Sequence, residues 1–204
     1  MNVLAIGAHP DDIEFGCGGT LLKLRKAGHS VNLLVMTKGE SGGAAGCRAD
    51  EQLAVADFLG AEALFWGGFE DTKIPVDSDT INTIDDTIEK TSADMVLFNF
   101  WEDTHQDHRA LAKCAVSATR HVKMALAFEV PTSDGFEPRM FVDIGDVMDE
   151  KMKLLRLHAS QLDKTKVPRL MITDSVTACA NFRGFQARVK FAEGFMPVRY
   201  LMNW

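Results

Sequence analysis

Paired cysteines, a long apolar run and an excess of positive charge are all missing from this 204-residue chain. Cys17, Cys47, Cys114 and Cys179 are scattered, with no CxxC pair, so no disulfide framework is expected and the thiols read as reduced. The longest apolar stretches, residues 31–36 and 95–100, fall far short of the roughly 20 residues that a membrane span needs. No span is expected. Lys and Arg number 22 against 29 Asp and Glu, a net charge of −7, and without a basic field neither nucleic acid nor an anionic membrane surface is an expected partner. A small-molecule partner is the default. No basic leader precedes His9-Pro10-Asp11-Asp12, so a cytoplasmic location is expected. Repeats, low-complexity tracts and a linker are absent as well, and residues 1–204 are expected to form a single domain.

What is present is ordinary globular composition, 46% hydrophobic and 25% charged, arranged as short apolar runs alternating with amphipathic stretches. The runs 2–7, 31–36, 63–66, 95–100, 124–128 and 141–144 read as strands. Helices are expected over 18–27, 48–59, 79–91, 108–121 and 147–161. The Gly-, Ser- and Ala-rich segment 37–47 has no period and reads as a mobile loop. Residues 175–195 read as helical around a break at Arg183-Gly184. Such alternation predicts an α/β fold: a Rossmann-like open, mostly parallel sheet with helices on both faces.

Two clusters carry the chemistry. His9, Asp11 and Asp12 come directly off the carboxyl end of the first strand, and His105, Asp107 and His108 off that of the fourth. In a 3-2-1-4-5 strand order these two strands are neighbours, and ligands bind at carboxyl ends where strand order reverses. The site is therefore expected at the carboxyl ends of strands 1 and 4. Three His and three Asp are ligand types for a divalent transition metal such as zinc. Adjacent Asp11 and Asp12 point in different directions, so one can ligate while the other faces substrate. A nucleotide-binding reading of Gly16-Cys17-Gly18-Gly19 at a helix start is weaker, because the final Gly of a dinucleotide fingerprint is missing. These glycines read better as letting the backbone approach the metal loop. A catalytically silent oligomeric scaffold would leave six ligand-type residues at one end unexplained.

Ala8-His9-Pro10-Asp11-Asp12 with Glu14, the Gly16–Thr20 run and His105-x-Asp107-His108 resemble the metal-dependent PIG-L/LmbE-like de-N-acetylases. Gly39-Glu40, residues 48–60 and 129–133, His158-x-Ser160-Gln161, Arg183-Gly184 and Ala192-Glu193 are similar to stretches of the bacterial, bacillithiol-pathway-like members. The resemblance implies His9, Asp12 and His108 as metal ligands and Asp11 as general base. It implies His105, oriented by Asp107 and acting in its protonated form, at the oxyanion, and Arg48 as a substrate contact. Zn2+ is the implied cofactor, with Fe2+ or another divalent metal open, since two His and one carboxylate also suit Fe(II). The implied reaction is hydrolysis of the N-acetyl group of an N-acetylglucosaminyl conjugate or related N-acetylated amino sugar, releasing acetate and free amine. A metal-dependent amidase acting on another small amide, such as a thiol conjugate, is the alternative. Some members carry a tyrosine shortly before HxDH, where this sequence has Trp101, Glu102, Asp103 and Thr104. Being shorter than many members, the chain leaves open a homo-oligomer in which a neighbouring subunit completes the site.

Overall fold

The computed structural model describes residues 1–201. Strands β1 (Asn2–Gly7), β2 (Ser30–Thr37), β3 (Ala63–Phe69), β4 (Met95–Asn99) and β5 (Met124–Phe128) pair in parallel, joined by helices α1 (Asp12–Lys26), α2 (Ala45–Leu59), α3 (Ser78–Thr91) and α4 (Gln106–Ala118). Then follow β6 (Met140–Asp143), α5 (Met148–Leu157), α6 (Ile172–Ala187) and β7 (Ala192–Tyr200). The seven-stranded order is β3-β2-β1-β4-β5-β7-β6, with β7 antiparallel to both its neighbours. This is the expected α/β architecture, and its strand order reverses between β1 and β4.

Period-two side-chain alternation divides the core between two faces. Val3 and Ala5 of β1 join Ile13, Leu21, Val55 and Leu154 on the side of α1, α2 and α5. Leu4 and Ile6 join Ile84, Leu111 and Ala115 on the side of α3 and α4. Both faces of the central strands are dry, as a parallel sheet requires. Among the described residues no helix is long and apolar enough to cross a membrane, and all four cysteines are free thiols.

Four sequence expectations need correction. Helix α1 starts at Asp12, not residue 18, so Gly16 to Gly19 lie inside it and offer no phosphate-binding N-terminus. Nor do those glycines serve a metal loop. A Cβ on Gly16 would fall 2.0 Å from Cδ2 of Phe128, and one on Gly19 would fall 2.8 Å from Cγ2 of Ile144. They let α1 lie close on β5 and on the segment after β6. Helix α5 stops at Leu157, and a separate 3-10 turn forms at Ala159–Gln161. The largest correction is at the C-terminus, where helix gives way to strand β7 between β5 and β6. Pro197 has no N–H for a ladder, and it sits where the register with β5 shifts between Ala125 and Leu126.

Candidate active site

The end of β1 is clamped before it turns. Ala8 N–H donates to the buried Asn99 Oδ1 of β4 at 3.1 Å, and Ala8 C=O accepts from Thr37 N–H of β2 at 3.0 Å. The chain then reverses through Pro10 to Asp11, which holds φ 94° and ψ −24°. A positive φ is unusual for aspartate and costs on the order of 1–3 kcal/mol. Asp11 is the N-cap of α1, yet its carboxylate makes no capping bond. At the end of β4 the loop feeds α4, whose N-cap is His105.

Three donor atoms from these two turns meet. His9 Nδ1 lies 3.3 Å from His108 Nε2, and Asp12 Oδ2 lies 3.3 Å from His108 Nε2 and 3.6 Å from His9 Nδ1. Ligands about 2.0–2.1 Å from a tetrahedral ion stand about 3.3 Å apart, so the triangle has the size a zinc-like ion needs. The outer nitrogens of both rings are held by carboxylates. His9 Nε2 is 3.1 Å from Asp107 Oδ2, with Asp71 Oδ1 off the N–H axis at 3.0 Å, and His108 Nδ1 is 3.2 Å from Asp103 Oδ2. Such partners fix tautomer and ring orientation in metal sites. His105 brings a third ring nitrogen within 4.8 Å of those of His9 and His108, but its ring is stacked at 4.7 Å on that of His108 and lacks a carboxylate partner.

The protonation states describe a pocket made for positive charge. Burial opposes charge on His9, but Asp107, Asp12 and Asp71 outweigh it and raise its pKa well above the usual range. The same contest on His108, won by Asp12 and Asp103, lifts it to about 9. Burial would raise Asp12, yet His108 and His9 hold it well below the ordinary carboxylate range. Asp11 behaves oppositely: burial pushes it up to about 6, only partly offset by Arg48 and His158. His105 is lowered by burial and by the charges of His9 and His108.

Two placements differ from the sequence expectation. Asp107 does not orient His105 through its carboxylate, which takes His9 Nε2 and the N–H groups of Thr72 (2.7 Å) and Ile74 (3.2 Å). Contact with His105 is through the main chain: Asp107 N–H donates to His105 Nδ1 at 3.3 Å. With Nδ1 accepting, a neutral ring carries its hydrogen on Nε2, and burial together with the charges of His9 and His108 disfavours the cationic form. Arg48 does reach the site, 3.5 Å from Asp11 Oδ2, but its two terminal nitrogens donate to Pro10 C=O (2.6 Å) and Gly39 C=O (2.8 Å), while the buried Nε has no partner among the described residues. It ties the loop after β2 to the turn after β1.

Sequence reading missed Asp71 and Asp103, both carboxylates in loops at strand carboxyl ends. Position is the only signal either offers. Glu14 is fully buried, accepting from Gln52 Nε2 at 2.9 Å and lying 3.1 Å from His158 Nε2. Over the donor triangle opens a cavity of about 370 Å³, lined by Asp11, Arg48, Asp71, His105, Thr132 and others.

Residues 4–119, which hold both turns, match the family described as GlcNAc-PI de-N-acetylase, PIG-L. The chain belongs to the PIG-L family. It is thus a hydrolase of the class that cleaves N-acetyl amides. An uncharacterized deacetylase, YaiS of Escherichia coli K12, is 32% identical over 167 residues, 78% of this chain and 90% of that one. A diacetylchitobiose deacetylase of Thermococcus kodakarensis is 31% identical over 185 residues, 78% of this chain and 69% of that one. The solved N,N'-diacetylchitobiose deacetylase of Pyrococcus horikoshii, complexed with its inhibitor, superposes with TM-score 0.85 at 25% identity, over 96% of this chain and 83% of that one.

Proposed function

We propose that the chain is a zinc-dependent deacetylase of an N-acetylglucosaminyl conjugate or a closely related N-acetylated amino sugar. The observation that carries this reading is the triangle of His9 Nδ1, Asp12 Oδ2 and His108 Nε2, with the carboxylate of Asp11 on the wall of the same cavity. The three fit a divalent ion, which when bound supplies Lewis acidity toward water and an acyl oxygen. Relatives named as deacetylases of an acetylated disaccharide favour the sugar.

The remaining chemistry belongs to the chain's own side chains. Asp11, poised at about 6, is ionised at neutral pH and accepts a proton from the attacking water. His105, with Nδ1 occupied by the Asp107 N–H, aims Nε2–H at the acyl oxygen as negative charge develops there. As the C–N bond breaks, the proton held by Asp11 passes to the departing nitrogen, leaving acetate and free amine. Asp107 and Asp103 hold the rings of His9 and His108. Arg48 keeps the Asp11 turn and the loop after β2 in register, which sets the cavity wall against which substrate lies.

The test is acetate release by zinc-reconstituted protein over a set of N-acetylglucosaminyl compounds. Asp11→Asn should bind metal normally yet turn over about 10²- to 10⁴-fold more slowly. Cleavage of simple peptides or acyl esters without acetate release from any N-acetylated amino sugar would overturn the assignment in favour of the amidase alternative.

A further inference from the structure

The cavity over the donor triangle gives an apolar group nowhere to rest. Apart from Gly42, every side chain that lines it carries nitrogen or oxygen. The hydroxyls of a sugar suit such walls. The acyl tail of an N-acylated sugar does not, because hydrocarbon that displaces water from polar groups cannot replace their hydrogen bonds. Beside the cavity lies a smaller hollow of about 50 Å³, walled by Phe15, Val130, Pro131 and Ile172. Its remaining walls are Asp11 and Asp12, which line the larger cavity as well. A polar space and an apolar one therefore meet at the base and one of the ligands of the proposed reaction.

Three segments of chain build the hollow. Phe15 stands one turn along α1 from Asp11, whose C=O accepts the Phe15 N–H at 3.0 Å. After β5, neighbouring residues divide between the two spaces. Thr132 lines the larger cavity, with Oγ1 3.4 Å from His108 Nδ1, while Val130 and Pro131 line the hollow. Ile172 opens α6, where its N–H donates to the Leu162 C=O at 3.0 Å. Phe15 and Val130 belong to the buried core, whereas Ile172 is half-buried and Pro131 exposed, so the outer wall is the part that a substitution can move. Val130, Pro131 and Ile172 all lie outside residues 4–119, the segment that matches the family.

We infer that the hollow receives the acyl tail of the substrate, and that Ile172, with Val130 and Pro131, sets how long that tail can be. This rests on the deacetylase reading above and deepens it, since that reading leaves open which acyl groups besides acetyl are removed. An amide carbon attacked by water beside Asp11 carries three substituents. Its oxygen turns to His105 and its nitrogen leads to the sugar in the polar cavity, so the tail faces the hollow across Asp11 and Asp12. Addition of water across the C–N bond returns the tail as its carboxylate and the sugar as its amine. Volume then sets the limit. About 10–15 Å³ of such space holds one water, so the hollow exceeds a single methyl group but ends within a few carbons. Acetyl underfills it, and a chain of hexanoyl length overfills it.

The experiment measures amine release by full-length zinc-reconstituted protein from methyl glycosides of glucosamine carrying an N-acetyl, N-propionyl, N-butyryl or N-hexanoyl group. Propionyl should match acetyl in kcat/KM or exceed it by up to about fourfold, the worth of one buried methylene. Hexanoyl should fall about 10- to 200-fold below propionyl. Ile172→Ala should raise the hexanoyl-to-propionyl ratio, and Ile172→Phe should lower the propionyl-to-acetyl ratio. Each ratio is taken within one variant, so a smaller folded fraction cancels, and mere loss of stability cannot move the two variants in opposite directions. Calorimetric binding of acetate, propionate, butyrate and hexanoate to the same zinc-loaded proteins reads the hollow without turnover. A chain-length order among these carboxylates that the Ile172 variants shift, with no amine from any sugar, would sustain the hollow and sink the deacetylase reading. Amine released in ratios that neither variant moves, or hexanoyl cleaved as well as acetyl by the parent chain, would overturn the hollow and leave that reading standing. Neither turnover nor any order among the carboxylates would overturn both.

Discussion

Asp103 shows how much of the site rests on groups that never reach substrate. One carboxylate oxygen lies 3.2 Å from His108 Nδ1 and accepts from Ser133 Oγ–H at 3.1 Å, while the other accepts from His105 N–H at 2.8 Å. Removing its charge loosens the orientation of His108 and the entry to α4 together. Asp103→Asn is expected to lower zinc affinity about 10- to 100-fold, measurable by competition with a chelating dye. The cluster that supplies the triangle was legible in sequence as His and Asp at two strand ends, while the choice of Asp12 over Asp11 came only from the family resemblance. Asp103 and Asp71 were not, because an acidic loop residue is usually solvated and only the folded distance singles it out. The partners of Glu14 were equally silent, and that pair makes a separate prediction. Burial would raise Glu14, but His158 and Gln52 lower it, so its contribution is present above the ordinary carboxylate range near 4.3 and lost as pH falls through the lowered value. Burial would lower His158, but Glu14 raises it, so its contribution is full below about 6.5 and lost as pH rises through the raised value. In metal-free protein the Tm deficit of His158→Gln should therefore be largest between about pH 4.3 and 6.5 and shrink on the alkaline side. A deficit independent of pH would dissolve the pair as a source of stability.

Helix α1 is the element on which sequence and structure disagreed most usefully. Gly16-Cys17-Gly18-Gly19 read as a helix start at residue 18 that lets the backbone approach the metal loop, since glycine costs a helix interior about 1 kcal/mol relative to alanine. Tertiary packing reverses the sign, since the missing side chains let α1 approach Phe128 and Ile144. That approach also fixes the helix N-terminus, where Asp11 and Asp12 sit. Gly16→Ala should therefore be harmful although it improves helix propensity. A Cβ 2.0 Å from the Phe128 ring demands movement of a buried side chain, an overpacking cost of typically 1–3 kcal/mol. Urea unfolding should show the loss as a lower midpoint. A gain in stability would mean that propensity, not packing, governs this helix. Strand β7 escaped notice for the converse reason: Gly194 and Pro197 interrupt its pattern, and only pairing with β5 and β6 makes it a strand. Elsewhere alternation sufficed, because parallel strands buried on both faces announce themselves as apolar runs.

Across the whole molecule, the first five strands position the site, and β7 is paired with α5 by a buried ion pair whose two members also hydrogen-bond α1. Glu193 and Lys151 are 4% and 2% exposed and lie 2.5 Å apart. Glu193 also accepts from Gly19 N–H (2.8 Å), Thr20 N–H (2.7 Å) and Thr20 Oγ–H (2.5 Å), whereas Lys151 has besides it only the Phe15 carbonyl at 2.6 Å. The two partners are therefore not equivalent. Taking away Lys151 leaves a carboxylate that still holds three donors, but taking away Glu193 strands a buried ammonium on one neutral acceptor and frees the helix donors as well. Breaking a buried pair from one side costs about 3–5 kcal/mol, and Glu193→Ala should reach that range while Lys151→Met, which fills the space with an apolar chain, should fall below it. Denaturant unfolding of the two zinc-loaded variants reads the difference directly. Since neither residue lines the cavity, zinc affinity in the folded fraction of either variant should match that of the parent chain. An inverted order of stability would mean that the lysine, rather than the carboxylate with its four donors, holds α1, α5 and β7 together.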